Sequence, residues 1–308
     1  MWKGGAVPDV LPPGPPPGPR DPGDAWAYGP DGTKAWGLFG AAGLLVDDGA
    51  GRVLLQHRVE WSHHGGTWGI PGGARHQHED AVTGALRESA EEAGVPRDGI
   101  DLRHTALLDL GFWTYTTVVA RAARPFDPVI ADRESLALSW VPVESVDALP
   151  LHPGFGASWP ALRAAITVTP HVVVDAANVV GSVPDGWWRD RAGAATRLLA
   201  GVSALAAAGV PAARLDLGFD RWWPRWSVVL EGAARDGAAP GAPSDAALAV
   251  VRAPASGDDT IVEVTAARVA AGDGPVVVVT ADRELRDRVT ALGDAVEVRG
   301  PGWLRELL

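Results

Sequence analysis

Between Gly73 and Val95 the chain reads GARHQHEDAVTGALRESAEEAGV, and this stretch limits the possible architectures more than any other. From Glu79 to Gly94 it contains no proline and is dominated by Ala, Leu, Arg and Glu, which predicts a helix. Gly94 and Pro96 stop it. Val82, Ala85, Leu86 and Ala93 give the helix one apolar stripe. Glu88, Glu91 and Glu92 stand at i, i+3 and i+4, so three carboxylates crowd one patch of another face. Like charges that close repel unless a cation sits among them. All-oxygen ligands suit a hard divalent ion such as Mg²⁺ or Mn²⁺, which in turn neutralises a phosphate. A solvated acidic face would explain three glutamates alone, but not the fixed positions around them.

Those positions are Gly73-x5-Glu79-x7-Arg87-Glu88-x2-Glu91-Glu92-x-Gly94-Val95. The pattern resembles the Nudix box at every fixed position, with Ser89 in a slot where the family usually carries an aliphatic residue. The resemblance implies that Glu88, Glu91 and Glu92 bind Mg²⁺ or Mn²⁺, and that Glu91 or Glu92 also helps to activate water. It implies that Arg87 orients Glu91 by an ion pair, one turn away, and that Glu79 supports the metal site through the loop. Gly72 and Gly73, following Pro71, allow the tight loop that carries backbone groups toward the metal. The implied chemistry is attack of metal-activated water on a phosphoanhydride.

At 308 residues the chain is expected to form two domains. It has no cysteine, which excludes disulfides and thiolate metal sites and fits a reducing, cytoplasmic setting. No apolar run is long enough to span a membrane, and the N-terminus lacks the pattern of a signal peptide. A net charge of −11 argues against charge-driven binding to long nucleic acid. Residues 1–35 hold nine of the 26 prolines, most of them in PPGPPPGPRDPG, and read as a disordered or polyproline-like tail.

The first domain is expected over 36–168, as a Nudix α/β/α sandwich with a mixed sheet. Residues 41–46 and 53–56 read as a strand pair, with further strands near 105–109, 114–122 and 139–143 and a helix opening at Glu144. Trp68 leads into the box and is either a wall residue or a substrate contact. Glu134, in the Asp132-Arg133-Glu134 loop, lies where many Nudix enzymes place a further catalytic glutamate, and equally reads as a surface acid. His63, His64, His76 and His78 match no metal-ligand spacing and read as loop residues. Trp61, Trp113 and Tyr115 are either base-stacking or core residues. The expected substrate is a nucleotide (a triphosphate, a nucleotide sugar, a dinucleotide or a capped RNA end), and the sequence does not choose among these.

After a Pro-rich connection with a short helix at 161–166, a second domain is expected over 169–308. Continuous apolar runs at 171–174, 226–230 and 276–279 alternate with helical stretches at 191–208, from 258 to 270 and from 283 onward. That alternation argues for a buried parallel sheet with helices on both faces. Asp175, Glu231 and Asp282 follow strands, and Asp258 and Asp259 open a helix, which would gather acids in the crevice at the strands' carboxyl ends. VVVDAANVV, the Asp258-Asp259 pair and VVVTADRELRDRVTALG resemble the PIN-like NYN nucleases, a Rossmannoid fold. The resemblance implies metal binding by Asp175, by Asp258 or Asp259, and by Asp282, with Asn178 holding the site loop, and RNA as substrate. Ala176-Ala177 and Glu231 depart from that family's pattern. With 18 acidic side chains against 14 arginines, this half carries −4, which weakens the case for RNA. Arg189, Arg191, Arg221 and Arg225 interleave with Trp187, Trp188, Trp222, Trp223 and Trp226, as either a stacking patch or a core with a charged rim. The alternative role for this domain is a non-catalytic binding or dimerisation module, implying a homodimer; a nucleotide-sensing regulator is a third reading.

Overall fold

The computed structural model describes residues 21–184, 186–238 and 247–308. The fold is mixed α/β and divides into two compact units: residues up to Ile100 with Leu107–Pro160, and Asp101–Ala106 with Ala161–Leu308. The proline-rich stretch over 1–20 lies outside the described residues. Residues 21–35, expected to belong to the same tail, instead form most of an antiparallel hairpin of β1 (Trp26–Tyr28) and β2 (Lys34–Trp36). Only Pro22 and Pro30 fall in this segment, and Trp26 packs edge-on against Trp36 at 5.2 Å, which supplies the apolar contact a tail would lack.

In the first unit β3 (Ala41–Asp47) is central and fully buried. It pairs antiparallel with β4 (Arg52–Arg58) through Asp47 and Val53. β5 (Trp68–Gly69) pairs with β4, and β6 (Gly72–Ala74) pairs antiparallel with the first half of β3. The helix α1 (Ala81–Ala93) follows, then the strand β7 (Ile100–Asp109), whose residues Asp101–Ala106 belong to the second unit. β8 (Thr114–Ala122) runs parallel to β3, and β9 (Ser135–Pro142) pairs antiparallel with β4. The turn after β9 is a 3-10 helix, Val143–Ala148. The short helix expected at 161–166 begins earlier, as α2 (Pro153–Ala165), because Pro153 suits a helix start and Pro160 is accommodated inside.

Helix α1 has the expected ends. Asp80 caps it by accepting from Thr83 N at 3.0 Å. Gly94, at φ 65°, closes it through bonds to Ala90 and Ser89 carbonyls. Its buried face differs from the expected stripe, however. Gly84, Ala85, Ser89, Glu92 and Ala93 are buried, while Val82 and Leu86 are only partly so. Small residues let α1 lie close against β3, and that same face carries Glu92 inward. Ser89 is fully buried, with its hydroxyl donating to the Leu86 carbonyl at 3.3 Å.

The second unit is built on a five-stranded, all-parallel sheet. Its strands are β10 (His171–Asp175), β13 (Arg225–Leu230), β14 (Leu248–Arg252), β15 (Val276–Val279) and β16 (Val296–Arg299), arranged β14-β13-β10-β15-β16. Between them come α3 (Ala176–Gly181), α4 (Arg191–Ala208), the short β11 (Val210–Pro211) and β12 (Arg221–Trp222), α5 (Gly257–Ala271) and α6 (Arg283–Thr290), and α7 (Pro301–Arg305) ends the chain. Val172 and Val174 pack with Leu198, Leu199, Val202 and Leu304 on one face, and Val173 packs with Ile261, Leu285 and Val289 on the other. This is the expected parallel sheet with helices on both faces. β14 and the β11–β12 pair were not foreseen; β12 pairs antiparallel with His104 and Thr105 of this unit.

Candidate functional site

The short strand β6 is held against Ala41–Gly43 of β3, so closely at Gly72 that a side chain there would strike the backbone of Ala42 and Gly43. Gly73 faces the carboxylate of Glu88: a Cβ at Gly73 would lie 2.7–2.8 Å from its atoms. Gly72 N–H donates to Glu92 Oε2 at 2.9 Å. Strand and helix thus meet at two of the three clustered glutamates.

Arg87 organises the remaining acids. Nε and Nη2 hold Glu79 Oε1 and Oε2 at 3.0 and 2.9 Å, and Nη2 also donates to the Ala74 carbonyl at 2.9 Å. Nη1 reaches Glu88 Oε1 at 2.8 Å and Glu91 Oε2 at 3.3 Å. The expected contact to Glu91 exists but is the longest of the set; the main partner is Glu79. The Arg87 bond holds the Glu79 carboxyl below its usual range, and His76 N–H adds to this from 2.9 Å.

Glu92 is 8% exposed, and burial pushes its pKa well above the ordinary carboxylate value, reinforced by the charges of Glu88, Asp132 and Glu134. Burial also raises Glu88, with Arg87 opposing and Glu91 and Asp24 adding repulsion. Glu91 is the outlying member, its side chain 58% exposed. Gln56, fully buried, donates to Glu92 at 3.4 Å and to Ser135 at 2.8 Å. Gln56 Oε1 and Asp132 Oδ1 are buried without a hydrogen-bond donor. Repelling carboxylates, two donorless buried oxygens and a glycine that leaves room beside Glu88 together fit a hard divalent cation.

Glu134 is exposed, its carbonyl accepts from Val59 N at 2.9 Å, and its charge acts on Glu92. Trp68 stacks face to face on His57, centroids 4.7 Å apart and 3° from parallel. Tyr115 Oη lies against Gly43, and burial raises its pKa, with Glu92 and Glu88 adding to the effect. Asp24, Gln56 and Asp132 belong to this neighbourhood and were not foreseen as members; each is a single residue remote in sequence from the box, with no pattern to flag it.

In the second unit the strand-end acids do converge. Asp175, 5% exposed, accepts from Asn178 N at 3.0 Å, Asn178 Nδ2 at 2.8 Å and Thr280 Oγ1 at 2.8 Å. Burial raises its pKa, and Glu231 adds to the effect. Asp258 is raised by burial and by the charges of Asp175, Asp282 and Glu231. Asp259 turns instead to Arg288 at 2.6 Å. Glu231 accepts from Gly257 N at 2.9 Å, and Asp282 caps α6 through Leu285 N at 2.8 Å. Beside them lies an open cleft of about 390 Å³ lined by Ala177, Asn178, Gly181, Ser182, Ala281 and Pro301. Of the tryptophans read as either a stacking patch or a core, Trp222, Trp223 and Trp226 are buried core. Trp187 and Trp188 remain near the surface, with Arg191 and Arg189 over their rings at 5.5 and 6.0 Å.

The model of the NUDIX domain family matches residues 37–162. A Mycobacterium tuberculosis protein named "Putative 8-oxo-dGTP diphosphatase 3" is 49% identical over 161 residues, which span 49% of this chain and 74% of that protein. The chain belongs to the Nudix family. It is a hydrolase of phosphoanhydride bonds, from a family whose members generally use divalent metal ions. A Bifidobacterium longum "Nucleoside triphosphate pyrophosphatase/Nudix hydrolase fusion protein" is 40% identical over 153 residues, 47% of this chain and 32% of its own. A crystal structure of a Nudix hydrolase from M. smegmatis is 47% identical and covers 46% of this chain and 94% of its own, with a TM-score of 0.43. Among the described residues, no helix is long and apolar enough to cross a membrane.

Proposed function

We propose that the first unit is a pyrophosphohydrolase of nucleoside triphosphates, releasing a nucleoside monophosphate and pyrophosphate, with oxidised purine nucleotides as the leading candidates. The 49% identity to the M. tuberculosis protein, over three quarters of that protein's length, carries the choice of substrate class. Glu88, Glu91 and Glu92 would hold Mg²⁺ or Mn²⁺, helped by backbone at Gly73. Bound there, the ion supplies Lewis acidity and lowers the pKa of a water. Arg87 fixes Glu88 and Glu79 through direct bonds, so the loop and helix keep one geometry. Glu92 is anchored by Gly72 N–H and Gln56. Glu91, exposed and held only at 3.3 Å, is the carboxylate free to take the proton of the attacking water, with Glu134 as the second candidate. Water oxygen bonds to one phosphorus as the bridging oxygen leaves with the bond's electron pair. Trp68 and Tyr115 are proposed as walls of the nucleotide pocket.

The test is a panel of nucleoside triphosphates, oxidised guanine nucleotides, nucleotide sugars and dinucleotides, with pyrophosphate and phosphate measured separately under Mg²⁺. Pyrophosphate from triphosphates, highest for the oxidised guanine nucleotide, is the expected result. Turnover confined to nucleotide sugars or dinucleotides would overturn the substrate assignment.

The convergence of Asp175, Asp258, Asp282 and Glu231 supports a second reading for the other unit, a PIN-like NYN nuclease that cuts RNA with metal assistance. The competing role is a binding or dimerisation module. Wild type and an Asp175→Asn, Asp282→Asn variant on short single-stranded RNA with Mn²⁺ separate the two: cleavage by wild type alone is expected, and equal inertness removes the nuclease.

A further inference from the structure

His63 and His64 occupy the turn between β4 and β5, and His152 stands far along the chain at the start of α2. The turn is fixed by its own bonds: Ser62 Oγ donates to the Val59 carbonyl at 2.8 Å, Gly65 N to the Ser62 carbonyl at 2.9 Å, and Thr67 Oγ1 to the His64 carbonyl at 2.6 Å. Gly65 lies so close under the carbonyls of Val59 and Glu60 that no side chain fits. His64 has φ 55°, a left-handed backbone conformation that favours glycine. Trp68 draws the distant histidine in: His152 N donates to the Trp68 carbonyl at 2.7 Å, and Trp68 N to the Pro150 carbonyl at 2.8 Å.

The result is three imidazoles with one nitrogen of each within 4.8 Å of the others. Ring centroids are 4.1 Å apart for His63 and His64 and 4.8 Å apart for His64 and His152. A tetrahedral ion with metal–nitrogen bonds near 2.0–2.1 Å needs its ligand nitrogens about 3.3 Å apart. His63 and His64 are exposed, so small side-chain rotations close that gap. His152 Nδ1 accepts from Gly154 N at 3.2 Å; ligation through either ring nitrogen exchanges that exposed contact for one with water.

We propose that His63, His64 and His152 form a second metal site, separate in kind from the glutamate cluster, that takes a borderline transition ion such as Zn²⁺ in preference to Mg²⁺. An all-imidazole donor set suits Zn²⁺, Ni²⁺ or Cu²⁺, whereas Mg²⁺ requires oxygen. The fourth position is left to solvent, and the ion clamps the β4–β5 turn to the start of α2.

The experiment uses the full chain without a polyhistidine tag, stripped of metal and dialysed to equilibrium against Zn²⁺ in excess Mg²⁺. Visible absorption of the Co²⁺ form reads the coordination. Wild type is expected to retain one Zn²⁺ per chain. His63→Gln and His152→Gln should each weaken retention by at least the roughly 10–100-fold seen when a ligand's mere hydrogen-bond partner is lost. Glu91→Gln and Glu92→Gln should leave it unchanged. Circular dichroism checks each fold, and the exposed His63→Gln carries the test if His152→Gln unfolds. No zinc on wild type, or zinc lost with the glutamates and kept without the histidines, overturns the proposal.

Discussion

Arg87 grips both carboxylate oxygens of Glu79, with Nε to Oε1 at 3.0 Å and Nη2 to Oε2 at 2.9 Å, while its third nitrogen reaches Glu88 at 2.8 Å. One guanidinium thereby ties the loop before α1 to the acid beside Gly73. A lysine has one nitrogen and cannot make this fork. Arg87→Lys should lower kcat/KM by about 10–100-fold, the range for losing a partner that orients a metal ligand. Glu79→Gln should do much the same, and the double variant little worse, because the two act as one unit. Additive losses, from steady-state kinetics of all four forms, would show that the pair does not work together.

Gly73→Ala sets a methyl group 2.7–2.8 Å from the Glu88 carboxylate. Real Cβ atoms do not approach that closely, so Glu88 must move. The expected outcome is a rise of tenfold or more (on the order of losing a ligand's support) in the Mg²⁺ concentration giving half-maximal activity, with a melting temperature near wild type. An unchanged Mg²⁺ requirement would remove Glu88 from the metal site.

His104 is fully buried between Phe219 and Trp222, at centroid distances of 4.5 and 4.4 Å, and neither ring nitrogen has a hydrogen-bond partner. Burial pulls its pKa down from 6.5 to about 4. The unfolded chain therefore takes up the proton first as pH falls. His104 should cost no stability above pH 6.5, a growing amount between 6.5 and 4, and a constant amount of up to about 3 kcal/mol below that. His104→Phe should narrow the gap between urea unfolding free energies at pH 7 and pH 4.5. Parallel pH curves for the two proteins would contradict this account. His63, His152 and His171 shift in the same direction, so wild type alone does not isolate the effect.

Gly94 ends α1 at φ 65°, where a Cβ is disfavoured and would meet Val129 at 3.4 Å. Gly94→Ala should destabilise the protein by about 1 kcal/mol, read from thermal unfolding. No change would mean that the helix end has relaxed.

The box was legible because its residues are neighbours on one helix and one loop, where spacing alone fixes which side chains meet. The parallel sheet was legible for a similar reason: Val172–Val174 and Val276–Val279 are apolar on both faces, which only a doubly covered strand requires. What escaped depends on distant partners. The spacing reads Glu88, Glu91 and Glu92 as one patch of equal members, yet Glu92 is buried, because Ala85, Ser89 and Ala93 are small enough for α1 to sit close on β3. Asp132 and Gln56 reach Glu92 only through tertiary pairing, and the partner of Asp259, Arg288, is likewise remote in sequence. His152 meets His63 and His64 through backbone bonds at Trp68, which no local pattern announces. The hairpin at residues 26–36 was hidden by the prolines of the segment before it.

The most direct test of the proposed hydrolase site is pyrophosphate release from an oxidised guanine deoxynucleoside triphosphate under saturating Mg²⁺, with wild type beside Glu91→Gln. Wild type should turn over, and the variant should lose at least about a hundredfold, the scale of removing a proton acceptor. Equal turnover by the two proteins would contradict it and place the chemistry away from this cluster.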